Sequence, residues 1–218
     1  MDTKTVLVFA GGDWVELARP LPEADYVIAA DSGLDRAASL GFTVDLLVGD
    51  LDSVSPAGLA AAREAGVSIE QHPADKDATD LELSLAAAIR EGAARIVVVG
   101  GGGGRIDHLL ANAMLLASPG WAEIDVEWIV DSARIVAIRH EAIFNGAAGD
   151  LLTLLAIGEP ADGVSTEGLR YELSGDVLLA SSTRGVSNEF VTDSVVVRVR
   201  NGVLLAIHQP DPSAGSKP

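Results

Sequence analysis

The chain contains no cysteine, which excludes disulfides and thiolate metal sites. Aromatic residues make up only 4% of it, so few rings exist to stack on a planar ligand. Basic residues are scarce too: 15 Lys and Arg stand against 32 acids, for a formal charge of -17. That balance opposes non-specific attraction to phosphate backbones, so no nucleic acid partner is expected. No run approaches the ~18 apolar residues that span a bilayer, and the start MDTKTVLVFAGGD lacks a secretory apolar core. The expectation is a soluble, cytoplasmic protein with no membrane partner.

What is present is core-forming material. The chain has 218 residues, 48% of them hydrophobic, enough for one large or two small domains. Up to about residue 140, short β-rich runs (VLVFA, YVIAAD, LLVGD, VSIEQH, RIVVVG, VEWIV) alternate with Ala- and Leu-rich segments of helical period. That pattern predicts a Rossmann-like α/β domain over 1–142 with a mostly parallel sheet, whose ligands gather beyond the strands' carboxyl ends. From residue 143 to 210 the segments LLTLLAI, GLRYEL, DVLLAS, EFVTDSVVVRV and VLLAI read as strands of a small all-β sandwich. Asn201 and Gly202 are the strongest hairpin signal in the chain. Residues 211–218 are expected to be a disordered tail.

Four segments place acids or glycines at predicted strand ends. In AADSGLDR, Asp31, Ser32 and Gly33 lead into a helix whose free N–H groups suit a phosphate, although an ordinary N-cap explains Asp31 or Ser32 equally well. In GDLDS, Asp50 and Asp52 alternate on a glycine turn. In DKDATDLE, Thr79 and Glu82 match a capping box, which leaves Asp75, Asp77 and Asp80 without a local explanation beyond the helix dipole. In GGGGGRIDH, five glycines permit a close backbone approach to a ligand, with Gly103 and Gly104 read as nucleotide-binding, and Arg105 and Asp107 follow. Neither the dinucleotide GxGxxG spacing nor GxxxxGK[ST] is matched, which disfavours a nicotinamide, flavin or P-loop enzyme. His72 and His108 lack zinc-site spacing and are expected in structural or peripheral roles.

Converging carboxylates carry an energetic cost. Two of them about 4 Å apart repel by roughly 4 kcal/mol at an effective dielectric near 20. A counter-ion removes that cost, and oxygen donors of this kind suit Mg²⁺ shared with substrate phosphates. Arg105 and Lys76 would neutralise the rest of a polyphosphate. The expected chemistry is phosphoryl transfer from a nucleoside triphosphate, driven by positioning and charge neutralisation.

The order ADSGLDR, GDLDS, DKDATDLE, GGRIDHLLAN, GLRYEL and RGVSNEF, spread over residues 5 to 207, resembles the thiamine pyrophosphokinase family. The resemblance implies a Mg²⁺-dependent transfer of diphosphate from ATP to the hydroxyl of thiamine, releasing AMP, in a homodimer with an inter-subunit active site. It implies Asp50, Asp52, Asp80 and Asp107 as the Mg²⁺ and polyphosphate cluster, with Asp77 as a further ligand and Asp75 in support. Arg105, Lys76 and Asn112 resemble the family's phosphate and nucleotide contacts, with Asp31, Ser32 and Gly33 nearby. Ser187 and Asn188 resemble its thiamine contacts. Some members stack an aromatic on thiamine near the carboxyl end. VLLAIHQP has none, which leaves apolar groups or His208 to pack on the substrate. The competing expectations are a Mg²⁺-dependent nucleotide hydrolase, a diphosphokinase for another alcohol, and a non-catalytic nucleotide- or thiamine-binding module.

Overall fold

A computed structural model describes residues 4–12, 17 and 20–211. The chain forms two compact units, one of residues up to Leu115 with Glu123–Asp131, the other of Leu116–Ala122 with the residues from Ser132 on.

The first unit is built from apolar strands and the helices between them. Strands β1 (Thr5–Phe9), β2 (Tyr26–Ala30), β3 (Leu46–Gly49), β4 (Ser68–Gln71), β5 (Arg95–Val99) and β6 (Asp125–Val130) lie side by side in the order β4-β3-β2-β1-β5-β6. Every pairing among them is parallel. Runs such as TVLVF and RIVVV are buried over four consecutive residues because helices cover both faces, the condition under which a strand need not alternate. The edge strand β4 reads SIEQ and is only partly covered. Helices α1 (Gly33–Ser39), α2 (Pro56–Glu64), α3 (Asp80–Arg90) and α4 (Ile106–Leu115) supply the crossovers. Helix α2 starts where Ser55 accepts from the Gly58 N–H with Pro56 behind it, and α3 where Thr79 Oγ1 accepts from the Glu82 N–H at 3.2 Å. Leu7, Phe9, Leu47 and Val97 sit at the centre, fully buried, each worth about 1.5–3 kcal/mol of transfer free energy.

The chain order reverses at β1. Strands β2 to β4 extend to one side of it, and β5 and β6 to the other. This leaves a crevice between the carboxyl ends of β1 and β5, where open α/β sheets bind ligands.

The second unit is a sandwich of antiparallel strands. One layer holds β7 (Ala133–Ile138), β9 (Leu151–Ala156), β12 (Asn188–Glu189) and β14 (Leu204–Gln209), in the order β12-β9-β14-β7. The other holds β8 (Glu141–Asn145), β10 (Ala161–Glu167), β11 (Ser174–Leu178) and β13 (Ser194–Arg198), in the order β11-β10-β13-β8. Alternate residues of both layers meet in one core, with Leu152, Leu154 and Leu204 facing Phe144, Val195 and Val197.

Asn201 and Gly202 do not close the expected hairpin. Strand β13 pairs with β10 and β8, whereas β14 pairs with β7 and β9, so the Asn-Gly pair carries the chain from one layer to the other. The backbone of Arg200 and Asn201 bonds to Asp162 instead, and Gly202 passes so close to Pro160 that a Cβ would stand 2.7 Å from its carbonyl oxygen. A close approach, rather than a two-residue turn, requires the glycine. Of the tail 211–218, Asp211 donates its N–H to Asp150 Oδ1 at 3.0 Å, and residues 212–218 lie outside the described residues.

Candidate active site

The crevice between β1 and β5 is lined by two glycine loops that follow these strands. Gly101 N–H bonds to Gly11 O at 2.9 Å, and Ala10 N–H to Val99 O at 2.9 Å, so the loops are stitched together. The five glycines divide by task. Gly102 is a packing residue, since a Cβ there would lie 2.1 Å from Val130 Cγ1, whereas Gly101, at φ +75° beside Asn112, also faces the crevice. Trp128 Nε1–H donates to Gly100 O at 2.6 Å, and Asn112 Nδ2 to Gly101 O at 3.2 Å, which pins the loop from behind. Gly103, Gly104 and Arg105 line a cavity of about 360 Å³, together with Asp31, Ser32, Asp80 and Asn112.

Asp31 and Asp80 line this cavity, and further acids gather beside them. Ligand-competent oxygens of Asp31, Asp50 and Asp52 all lie within 4.8 Å of one another. Their backbone is specialised for it: Asp31 and Leu51 hold positive φ values of 46° and 71°, a rare conformation for residues with side chains. Leu51 N–H donates to Asp31 Oδ1 at 3.0 Å, and Asp52 N–H to Asp50 Oδ1 at 3.1 Å. Asp80, at the first position of α3, reaches the same group. Lys76 Nζ stands 2.8 Å from Asp80 Oδ1 and 3.6 Å from Asp50 Oδ2.

Crowding shows in the ionisation of these groups. Burial, and then the fields of Asp80 and Asp50, push the Asp31 carboxyl up to about 7 against the opposing bond from the Leu51 N–H. The negative field of Asp50 raises Asp52. Asp50 itself is lowered, chiefly by the Asp52 N–H and then by Lys76, against some desolvation. Desolvation works against the Lys76 ammonium, but the contact with Asp80 and the surrounding carboxylates outweigh it and raise its pKa. Asp80 Oδ1 is a buried oxygen, and the Lys76 ammonium at 2.8 Å is the group that faces it. A set of oxygen donors this close, with one carboxyl held near neutrality and an ammonium already drawn to the others, fits a hard divalent cation.

Other predicted residues stand apart from this cluster. Asp107 is 64% exposed and bound to Arg105, whose Nε and Nη2 donate to its two oxygens at 3.1 and 2.5 Å. The bidentate contact holds its carboxyl at about 2, well below the usual range. Asp75 and Asp77 are exposed, and neither belongs to the group of converging acids. Gly33 is buried, and a Cβ there would stand 2.0 Å from Phe9 O, so its place is explained by packing of α1 against β1. The sequence reading missed the cavity-lining role of Gly11, Gly12, Ser53 and His108. The FAGGD glycines directly after the first strand were the available signal for the first two.

In the second unit, Ser187 has φ 58° and donates its N–H to Thr153 Oγ1 at 3.0 Å. Asn188 joins the two family-like motifs: its Nδ2 donates to Tyr171 O at 2.7 Å, and its Oδ1 accepts from Tyr171 N at 3.1 Å and Glu189 N at 2.9 Å. Tyr171 is 70% exposed beside this clamp. His208 cannot pack on a ligand as expected. It is 1% exposed, stacked on Phe190 at 4.9 Å and bonded to Asp150 Oδ2 at 2.9 Å, because the alternation of β14 turns it into the core.

Comparison with known proteins agrees with this arrangement. Residues 17–127 match the family model "Thiamin pyrophosphokinase, catalytic domain", and residues 137–204 match "Thiamin pyrophosphokinase, vitamin B1 binding domain". The chain is 25% identical to the thiamine pyrophosphokinase of Bacillus subtilis (strain 168), over 95% of this chain and 100% of that one. A crystal structure of the Bacillus subtilis thiamine pyrophosphokinase superposes with a TM-score of 0.84 at 24% identity, covering 95% of this chain and 100% of that chain. One of a thiamin pyrophosphokinase family protein from Enterococcus faecalis does so with a TM-score of 0.80 at 26% identity, covering 96% and 100%. With both parts of the chain matched in order and the acids converging at the crevice, the chain belongs to the thiamin pyrophosphokinase family.

Proposed function

We propose that the protein transfers the terminal diphosphate of ATP to the hydroxyl of thiamine, giving thiamine diphosphate and AMP. The observation that carries the reading is the convergence of Asp31, Asp50 and Asp52, with Asp80 and Lys76 beside them, at the mouth of a glycine-lined crevice. In the transfer, the thiamine hydroxyl oxygen bonds to the β-phosphorus, the bond from that phosphorus to the α-phosphate bridging oxygen breaks, and the hydroxyl proton goes to a carboxylate or water. Asp50, Asp52 and Asp80, with Asp31, would hold Mg²⁺, and Asp77, from the loop before α3, and Asp107, from the first turn of α4, would join as ATP is bound. The bound ion would supply charge neutralisation on the polyphosphate. Arg105 would fork onto phosphate oxygens after releasing Asp107, and Lys76 would add a point charge. Gly103, Gly104 and Ser32 would let backbone approach the nucleotide, with Asn112 holding the glycine loop in place.

The thiamine side is assigned to Ser187 and Asn188, with Tyr171 as the exposed ring next to them. The working assembly is a homodimer in which the vitamin-binding unit of one copy serves the acids of the other. The exposed apolar side chains of Ile106, Leu110 and Met114, at four-residue spacing along α4, support a surface that a second chain covers. A cytoplasmic location suits the ATP requirement. Among the described residues no helix is long and apolar enough to cross a membrane.

Incubation of pure protein with thiamine, ATP and Mg²⁺, followed by identification of the nucleotide released, is the test. AMP in step with thiamine diphosphate supports the proposal. ADP would replace it with an ordinary kinase, and nucleotide loss without thiamine would replace it with a hydrolase.

A further inference from the structure

We propose that Lys76 is the resident counter-cation of the acid cluster: its ammonium holds the position of the divalent ion until metal arrives, and then leaves for the polyphosphate. The inference rests on the reading of that cluster as a Mg²⁺ site. The ammonium stands 2.8 Å from Asp80 Oδ1 and 3.6 Å from Asp50 Oδ2, on a side chain only 13% exposed. Asp80 Oδ1 is buried, and the ammonium is what faces its charge.

The choice of residue type is informative. The chain has three lysines among its 15 basic residues, at positions 4, 76 and 217. Exposed acids are mostly paired with arginine, as in Arg90 with Glu70, Arg105 with Asp107, Arg184 with Asp176 and Arg200 with Asp162, although Lys4 stands 3.7 Å from Glu91. The crowded cluster receives a lysine. A guanidinium commits its planar fork to one carboxylate, whereas an ammonium is a compact point charge that serves two carboxylates at once and detaches readily. In compactness it resembles a small metal ion more closely than the guanidinium does. Without any cation the carboxyls repel, and with both a divalent ion and the ammonium in place the two cations repel. Where both seek the same oxygens one displaces the other, and a flexible side chain is the one that can move.

The experiment follows the amine itself. The full chain is treated with an amine-acylating reagent in the absence of metal, with Mn²⁺, and with Mn²⁺ plus a non-hydrolysable ATP analogue, and the acylation of Lys76 is read by peptide mass spectrometry. Lys4, which donates to Glu91 O at 2.7 Å far along the chain, is the internal reference. Mn²⁺ alone should raise the Lys76 rate several-fold, and the analogue should lower it again. In parallel, calorimetry on Lys76→Met should show Mn²⁺ binding about tenfold tighter than wild type, with metal-free ATP binding weaker, and Lys76→Gln guards against a folding defect in the first variant. If Mn²⁺ binds but Lys76 reactivity does not change, the proposal is overturned and the metal reading stands. If Mn²⁺ does not bind with or without the analogue, both are overturned.

Discussion

Gly49 and Asp31 are fitted to one another across neighbouring strands: a Cβ on Gly49 would lie 2.0 Å from Asp31 Oδ1. Gly49 closes β3 with φ 149°, and Asp31 follows β2, so the absence of a side chain on one strand makes the space for a carboxylate from the next. The glycine of GDLDS thus serves the acid of ADSG as well as its own turn.

Gly49→Ala is therefore expected to damage the site before it damages the fold. The φ value costs about 1–3 kcal/mol, and the methyl group displaces the Asp31 carboxylate. AMP formation should fall by at least about tenfold, with the urea midpoint moderately lowered. Wild-type activity in this variant would show that Asp31 need not occupy that place.

The pH dependence of metal-free stability has a definite sign. Asp31 rises from 3.8 to about 7 in the folded state, so between those values the folded chain holds a proton that the unfolded chain has lost. Stability is therefore greatest below about pH 4, as far as this group is concerned, and falls as pH rises to about 7. Discounted for the solvent-exposed half of the carboxyl, the loss is on the order of 1–2 kcal/mol. The lowered carboxyls, Asp50 and Asp107 among them, act in the opposite sense below about pH 4, outside this window. Urea melts at pH 5 and 8 should show the decline, Asp31→Asn should flatten it, and Mg²⁺ should reduce it. A decline of equal size in Asp31→Asn assigns it to other groups.

Asn188→Ala removes the clamp between GLRYEL and RGVSNEF. Three bonds to backbone disappear from a partly exposed segment, at a cost of about 1–2 kcal/mol. The KM for thiamine should rise while the KM for ATP stays put, as steady-state titration of each substrate will show. Parallel changes in both constants would place Asn188 outside the thiamine pocket.

Asp150→Ala leaves His208 buried against Phe190 without its carboxylate partner and frees the Asp211 N–H. A loss of about 3 kcal/mol in urea denaturation is expected, with KM for both substrates unchanged where the protein remains folded. A near-neutral effect would mean that water replaces the carboxylate.

Much of this protein was legible in its sequence. Continuous apolar runs such as RIVVV between Ala-rich helices demanded a sheet covered on both faces, and Gly–Asp turns at their ends marked the ligand side, because periodicity and burial are local properties. What sequence could not rank was membership within the acid-rich segments. Asp31, Asp50 and Asp52 converge with Asp80 beside them while Asp77 and Asp107 stand apart, since a side chain's neighbours depend on strand order, register and single φ values such as that of Leu51. The same holds for Asn201–Gly202, whose turn chemistry was overruled by pairing with Asp162, and for His208, which strand alternation turned into the core. Local composition determined which elements form and what chemistry they carry. Tertiary pairing decided which charges meet, because electrostatic crowding depends on distances of a few ångströms that only the packed sheet defines.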